Sequence, residues 1–337
     1  MKNRSLPFCC LLLLCALAQS AWAQSTLNPA GPVAKPLSNL GWFVYILFVV
    51  ITVLMWVLIW WIATRRRGSF DHHEPVDVGG GQSWILIGGF AIPAVILAVV
   101  FVLGLRTMMA YPLHDGTPET PEIRLTGHQW WWEIHYVGGE PNTNFATANE
   151  IHIPVGRAVN LELVSADVIH SFWVPNLSGK VDLIPGQVNH MRLRADRPGT
   201  YFGKCSEFCG AQHAHMQILV VAHAPEEYEA WRAHQLEPAS MPSTPQAVLG
   251  EALFMARPCA LCHTIQGTPA QGSVAPNLTH LALRRGLAAN TLINDKANLS
   301  AWVTHAQALK PEVAMPNVTQ FSGEELQALV AYLQQLR

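Results

Sequence analysis

The chain has 337 residues, enough for two or three domains, and is 50% hydrophobic but only 13% charged. That charged fraction is about half the usual ~25%, and with a formal charge of -2 it excludes a disordered chain and a polybasic nucleic-acid-binding protein. A positive mean hydropathy suits a membrane-anchored protein with a large exported part.

Residues 1–23 read as a signal peptide. Lys2 and Arg4 give a basic start, Phe8 to Ala18 a short apolar run, and Ala21-Trp22-Ala23 an A-x-A cleavage site. The next stretch, 24–110, reads as a transmembrane hairpin. Its apolar runs predict helices over about 40–62 and 84–106. At about 1.5 Å per residue, each reaches across a hydrocarbon core of ~30 Å. Trp42, Trp60, Trp61 and Trp84 lie near the ends, where aromatic belts sit, and Pro93 predicts a kink in the second helix. Arg65-Arg66-Arg67 follows the first run, so the positive-inside rule puts loop 63–83 in the cytoplasm and both termini outside. His72-His73 reads as part of a solvated loop.

Residues 111–235 carry short strand-like runs: 128–136, 150–155, 158–164, 188–194 and 216–222. Gly and Pro punctuate them, which predicts an antiparallel sandwich or barrel. Reading 128–136 as one strand puts Trp130 and Trp132 on the same face. Cys9, Cys10 and Cys15 fall in the signal peptide, and the other four cysteines form two close pairs. The first pair belongs to C-x3-C-x3-H-x2-M, made by Cys205, Cys209, His213 and Met216, with His170 upstream in DVIHSFWVP. Thiolate and thioether are soft ligands that suit copper. A mononuclear blue-copper site needs one Cys, so the second Cys suggests two bridged copper ions. A Cys2His2 zinc site would have no use for the methionine. His215 competes with His213 as ligand.

CSEFCGAQHAHM, together with DVIHSFWVP, GHQWWWE and VDLIPG in that order, resembles subunit 2 of haem-copper cytochrome c oxidases. The resemblance implies a cupredoxin-like Greek-key β-barrel behind a two-helix hairpin, and a binuclear copper A centre. It implies His170, Cys205, Cys209, His213 and Met216 as side-chain ligands. Glu207 would offer its carbonyl to copper and its carboxylate to a magnesium ion shared with subunit 1. Trp130 would be where electrons enter, and the resemblance, like the x3 spacing, favours His213 over His215. Two positions depart from the family pattern: Gln187 stands where the family often has Arg. Gln82 and an acid-free run between Asp77 and Arg106 replace a Glu that serves proton uptake.

Residues 236–245 are Pro/Ser-rich and read as a linker. Beyond them, Cys259-Ala260-Leu261-Cys262-His263 is C-x-x-C-H, the attachment signature of c-type haem, with His263 as one axial ligand. Met315, in AMPNV, is the predicted second ligand, and His280 and His305 are its rivals. A helix is predicted over 246–256. Ser322-Gly323-Glu324-Glu325 predicts a capping box opening a last helix, with Leu326, Leu329, Val330 and Leu333 on its apolar face. Arg284 and Arg285 are candidates to pair with haem propionates. Region 246–337 resembles the small all-α cytochrome c domain fused to some bacterial oxidase subunits 2.

The expected function is electron relay from an exported cytochrome c donor, through covalent haem c and copper A, to subunit 1. There oxygen would be reduced to water with proton translocation. Subunit 3 and membrane lipid are further expected partners, and nucleic acid is not. The expected location is the bacterial inner membrane, multi-pass, with both soluble domains on the periplasmic face. Alternative readings are a copper A subunit of a nitric oxide reductase-like complex and an anchored, non-enzymatic copper carrier. Residues 111–235 hold eight Lys/Arg against fourteen Asp/Glu, an acidic balance that would steer a basic donor.

Overall fold

The structure, a computed structural model, describes residues 25–65, 81–109 and 122–337. The expected signal peptide, Arg66-Arg67, His72-His73 and residues 111–121 lie outside the described residues. Two compact units result, Lys35–Leu113 and the rest of the chain.

The first unit holds two helices, α1 (Ala34–Thr64) and α2 (Gly81–Met109), each long and apolar enough to cross a membrane. Their large apolar side chains face outward, Trp56 and Phe90 among them, as a lipid-facing helix requires. Within α2 a π-helical stretch, Ile85–Ala91, gives way to regular α-helix at Ile92. Pro93 has no N–H and its ring crowds the carbonyl four residues back, and a widened turn before it relieves that clash.

The second unit begins with a strand pair, β1 (Ile123–His128) and β2 (Trp131–Tyr136). There follow β3 (Phe145–Ala148), β4 (Glu150–Pro154), β5 (Val159–Ser165) and β6 (His170–Trp173). The set is completed by β7 (Val181–Leu183), β8 (Asn189–Leu193), β9 (Gly199–Cys205) and β10 (Gln217–His223). Two five-stranded sheets result, ordered β3-β2-β1-β5-β8 and β4-β10-β9-β6-β7. Pairing is antiparallel except for β1 with β5 and β4 with β10. Alternation sets the core between the sheets: Ile123 and Leu125 from β1, Trp132 and Ile134 from β2, Leu161 and Leu163 from β5, and Ile218 and Val220 from β10 are all buried. The fold is a cupredoxin-like sandwich.

Segment 128–136 is not one strand. β1 ends at His128 and reverses through Gln129-Trp130 into β2. The reversal is fixed from outside the hairpin. Gln129 donates its N–H to Asp167 Oδ2 at 2.6 Å, and the Trp130 indole donates to the Cys209 carbonyl at 2.9 Å. Trp130 and Trp132 both face the core, but Trp130 does so from a turn. Residues 25–34 also join this domain, where the Asn176 amide donates to the Ser25 and Asn28 carbonyls.

A helix not anticipated from sequence, α3 (Pro225–Gln235), closes the sandwich; its Trp231 stacks on His152 at 4.1 Å. The last domain contains α4 (Pro245–Ala256), the short α5 (Cys259–Cys262), the two-residue strands β11 (Gly286–Leu287) and β12 (Leu292–Ile293), α6 (Lys296–Leu309) and α7 (Gly323–Leu333). Thr244 caps α4, and Ser322 and Glu325 form the expected capping box of α7. Leu329, Val330 and Leu333 are buried, with Leu326 packed beside them. α4 crosses α7 closely because residue 250 is glycine: a Cβ there would lie 2.0 Å from the Ala328 carbonyl oxygen.

Candidate metal centre and haem-attachment site

The sulfur cluster grows from the ends of three strands. His170 opens β6, Cys205 ends β9, and the loop to β10 carries Cys209, a 3₁₀ turn at His213–His215, and Met216. β6 and β9 are paired, which brings His170 beside Cys205. Cys205 Sγ lies 3.9 Å from His170 Nδ1, 3.2 Å from the Glu207 carbonyl and 3.7 Å from Cys209 Sγ. Cys209 Sγ lies 3.6 Å from His213 Nδ1 and 3.9 Å from Met216 Sδ. Both cysteines are free thiols, and His170, Cys205, Cys209 and Met216 are buried. The sequence-predicted ligands thus meet at one point, with one imidazole beside each thiol. Two soft thiols without a disulfide, two imidazoles and a thioether fit a pair of copper ions.

The electrostatics suit a cation. The hydrogen bond from the Cys209 thiol holds Cys205 well below the usual thiol range, and the same contact pushes Cys209 up. A metal bound between the two sulfurs would displace their protons. His170 is oriented by Asp167, whose Oδ1 lies 2.7 Å from Nε2. A carboxylate only accepts, so Nε2 carries the proton and the Nδ1 lone pair faces Cys205. Gly127 is needed for this approach, since a Cβ there would lie 2.7 Å from the His170 ring. His215 turns away, its Nδ1 2.8 Å from Gln212 Oε1. The Glu207 carboxylate points outward to Lys180 at 3.4 Å, and Phe208 beside it is 77% exposed.

The second site sits on α5. Cys259 and Cys262 occupy one helical turn and His263 follows at its end. His263 Nδ1 lies 2.7 Å from the Pro276 carbonyl. A carbonyl only accepts, so Nδ1 is protonated and Nε2 keeps its lone pair, as a haem-ligating histidine would need. Burial pushes the His263 pKa down, which favours the neutral imidazole. Leu261 and Val274 beside the motif are exposed apolar side chains. Arg284 turns inward, donates to the Asn277 carbonyl and keeps a buried Nε without a partner, which fits a haem propionate. Met315 lies in the loop after α6. Gln307 donates to the Val313 and Met315 carbonyls at 2.6 and 2.7 Å. Of the rival ligands, His280 packs edge-on against His234 with both ring nitrogens buried and unpartnered, and His305 is exposed beside Thr304.

Three groups were not singled out from sequence. Asp167 lies in the DVIH segment, but nothing in spacing shows that it reaches back to the ring. Glu150 and Lys310 act across the two exported domains, and no local pattern marks such contacts.

Both domains match known protein families. The family described as "Cytochrome C oxidase subunit II, periplasmic domain" matches residues 139–223, and "Cytochrome c" matches 247–337. Cytochrome c oxidase subunit 2 of Alkalihalophilus pseudofirmus is 34% identical over 99% of this chain and 97% of its own length. That of Bacillus subtilis is 28% identical over 93% and 92%. The crystal structure of the periplasmic domain of subunit II of cytochrome oxidase of Bradyrhizobium japonicum is 29% identical, covering 35% of this chain and 96% of its own, with a TM-score of 0.32. Near-full-length similarity, together with a sulfur cluster and a haem-attachment turn on one chain, shows that this protein belongs to the cytochrome c oxidase subunit 2 family, in the form that carries a cytochrome c domain.

Proposed function

We propose that the chain relays electrons from an exported cytochrome c-like donor to oxidase subunit 1. Haem c held by Cys259, Cys262, His263 and Met315, and binuclear copper A held by His170, Cys205, Cys209, His213 and Met216, would each supply a one-electron couple. The observation that carries this reading is the 3.7 Å separation of two free thiols with an imidazole beside each.

The chain's own residues do the holding. Burial of the four inner donors excludes water, and Asp167 fixes the His170 tautomer. Trp130 ties its indole to the Cys209 carbonyl, which favours it as the point where electrons reach the copper ligands. Glu207 offers its carbonyl to the cluster and turns its carboxylate outward to Lys180, whose place a magnesium ion at the boundary with subunit 1 would take. Domain limits of 111–235 and 246–337 belong to the same proposal. So do two membrane passes with both termini outside, docking with subunits 1 and 3 in the bacterial inner membrane, and coupling to proton translocation. Tethering keeps the haem domain at an effective concentration of roughly millimolar, so it need not diffuse.

Optical and electron-paramagnetic spectra of the purified oxidase test the proposal. A c-type haem band, two coppers in this subunit and a seven-line copper hyperfine pattern are expected. A four-line pattern with one copper would overturn the binuclear assignment.

A further inference from the structure

Lys310, at the end of α6, is only 1% exposed. Its ammonium donates to three carbonyls, those of Trp130 at 2.9 Å, His215 at 2.8 Å and Ala288 at 2.8 Å. A buried cation is tolerated when its donors are matched, and here three N–H groups meet three acceptors. Two of the acceptors belong to the copper domain. Trp130 carries the indole bound to Cys209, and His215 stands between His213 and Met216.

The haem-domain side is equally specific. Val313, three residues beyond Lys310, packs against the core cluster that contains Trp130, Cys205, Cys209 and Met216. Met315 follows in the same loop, held to α6 by Gln307. The facing loop, Ala288-Ala289-Asn290, has φ of 53°, 58° and 60°, a left-handed run that side chains resist unless surroundings enforce it. Three contacts enforce it. Lys310 takes the Ala288 carbonyl, the Gln217 N–H donates to the Ala289 carbonyl at 3.2 Å, and the Asn290 amide donates to the Asn149 carbonyl at 2.9 Å.

We propose that Lys310 is a positioning residue that seats the haem domain, Met315 loop foremost, on the Trp130 face of the copper domain and closes that face to soluble donors. Trp130 is accordingly 6% exposed. The inference rests on the relay reading above and adds to it which surface each partner uses. The contacts Lys310 to Trp130 and Trp130 to Cys209 form a hydrogen-bonded bridge from the Met315 loop to a copper ligand. A soluble cytochrome meets the haem domain rather than Trp130.

The test uses the full chain assembled in its oxidase. Amide hydrogen exchange is read at Gln217, Arg285 and Gly286, whose N–H groups donate across the seat. Flash-triggered haem-to-copper transfer is read in parallel. Lys310→Met keeps the apolar stem and removes the donors. It is expected to retain both cofactor spectra, to raise exchange at those amides about tenfold or more, and to slow transfer by about tenfold or more. Lys310→Arg, which keeps the charge, should fall between the two. With haem attachment blocked by Cys259→Ala and Cys262→Ala, a soluble cytochrome should reduce copper faster in the Lys310→Met background than with Lys310 intact. Wild-type exchange and transfer in Lys310→Met would overturn the proposal. If that variant does not assemble, the unaltered protein decides: fast exchange at the three amides overturns the seat and protection supports it. Copper reduced before haem in the unaltered protein would sink the relay reading, whereas protected amides in that same protein would still support the seat.

Discussion

Asp167 shows how one side chain can orient a candidate metal ligand from behind. Its Oδ1 accepts from His170 Nε2 and from the Val168 N–H at 2.6 Å, and its Oδ2 accepts from the Gln129 N–H. One carboxylate therefore fixes both the His170 ring and the turn that aims Trp130. Asp167→Asn keeps the shape but puts an amide where the imidazole N–H must find an acceptor. Copper affinity, measured by chelator competition, should fall about 10- to 100-fold, with a broadened hyperfine spectrum. Unchanged affinity would show that the ring is held by strand packing alone. The five side-chain donors were legible before the structure because four of them lie within twelve residues, and thiol, imidazole and thioether are chemically distinctive. The orienting carboxylate was not legible, because aspartate three residues before a histidine is common at strand starts and means nothing without the fold.

The β1–β2 hairpin was misread at the level of the element. A continuous aromatic run has strong strand propensity, and no Gly or Pro marks the reversal at Gln129-Trp130. Its turn is held by partners at Asp167 and Cys209, distant in sequence, so local pattern could not reveal it. Helix α3 escaped for the opposite reason, being too polar to show an apolar face. The capping box of α7 was legible because a serine and a glutamate three residues apart settle that geometry locally. The hairpin also carries a pH-dependent brace. Glu133 lies 3.1 Å from His128 Nε2 and 2.9 Å from His135 Nε2, on one face of the hairpin. Hydrogen bonds from His128 and then His135 hold its pKa at about 2 against an ordinary 4.5. A depressed carboxylate stabilises the fold above its unfolded pKa and loses that contribution as pH falls through the folded value. The contribution is thus whole above about pH 4.5 and gone near pH 2. Solvent screening at this half-buried position reduces it to about 1 kcal/mol. Glu133→Gln should lower the Tm of the copper domain at pH 7, and the difference from the unaltered chain should vanish on titration to pH 2. A difference that persists at pH 2 would mean that shape, not charge, supplies the brace.

At the scale of the molecule, composition and motif order exposed the anchor, the metal domain and the haem domain, but left the two exported domains as beads on a linker. The structure joins them. Residues 236–244 lie along the haem domain, where Ala239 donates to the Gln266 carbonyl and Ser240 to the Arg337 carbonyl. Across the boundary, Glu150 on β4 is 3% exposed, and its Oε1 accepts from the N–H groups of Arg285 at 2.5 Å and Gly286 at 3.2 Å. Its other oxygen faces His152 at 3.8 Å, and His152 lies against Trp231 and His223. A buried carboxylate of this kind stays only if its acceptors are filled, and the filling donors come from the other domain. The two domains should therefore unfold together. Thermal melting of the full chain, followed by the haem Soret band and by tryptophan fluorescence, should give coincident transitions. Glu150→Ala leaves the Arg285 and Gly286 N–H groups without their acceptor, at a cost of about 1–3 kcal/mol, and should split the curves so that the haem domain melts first. Glu150→Gln keeps an acceptor and should split them less. Coincident curves in Glu150→Ala, at the unaltered temperature, would mean that this carboxylate does not couple the domains. The coupling would then fall to Lys310 and the Ala288-Ala289-Asn290 loop alone.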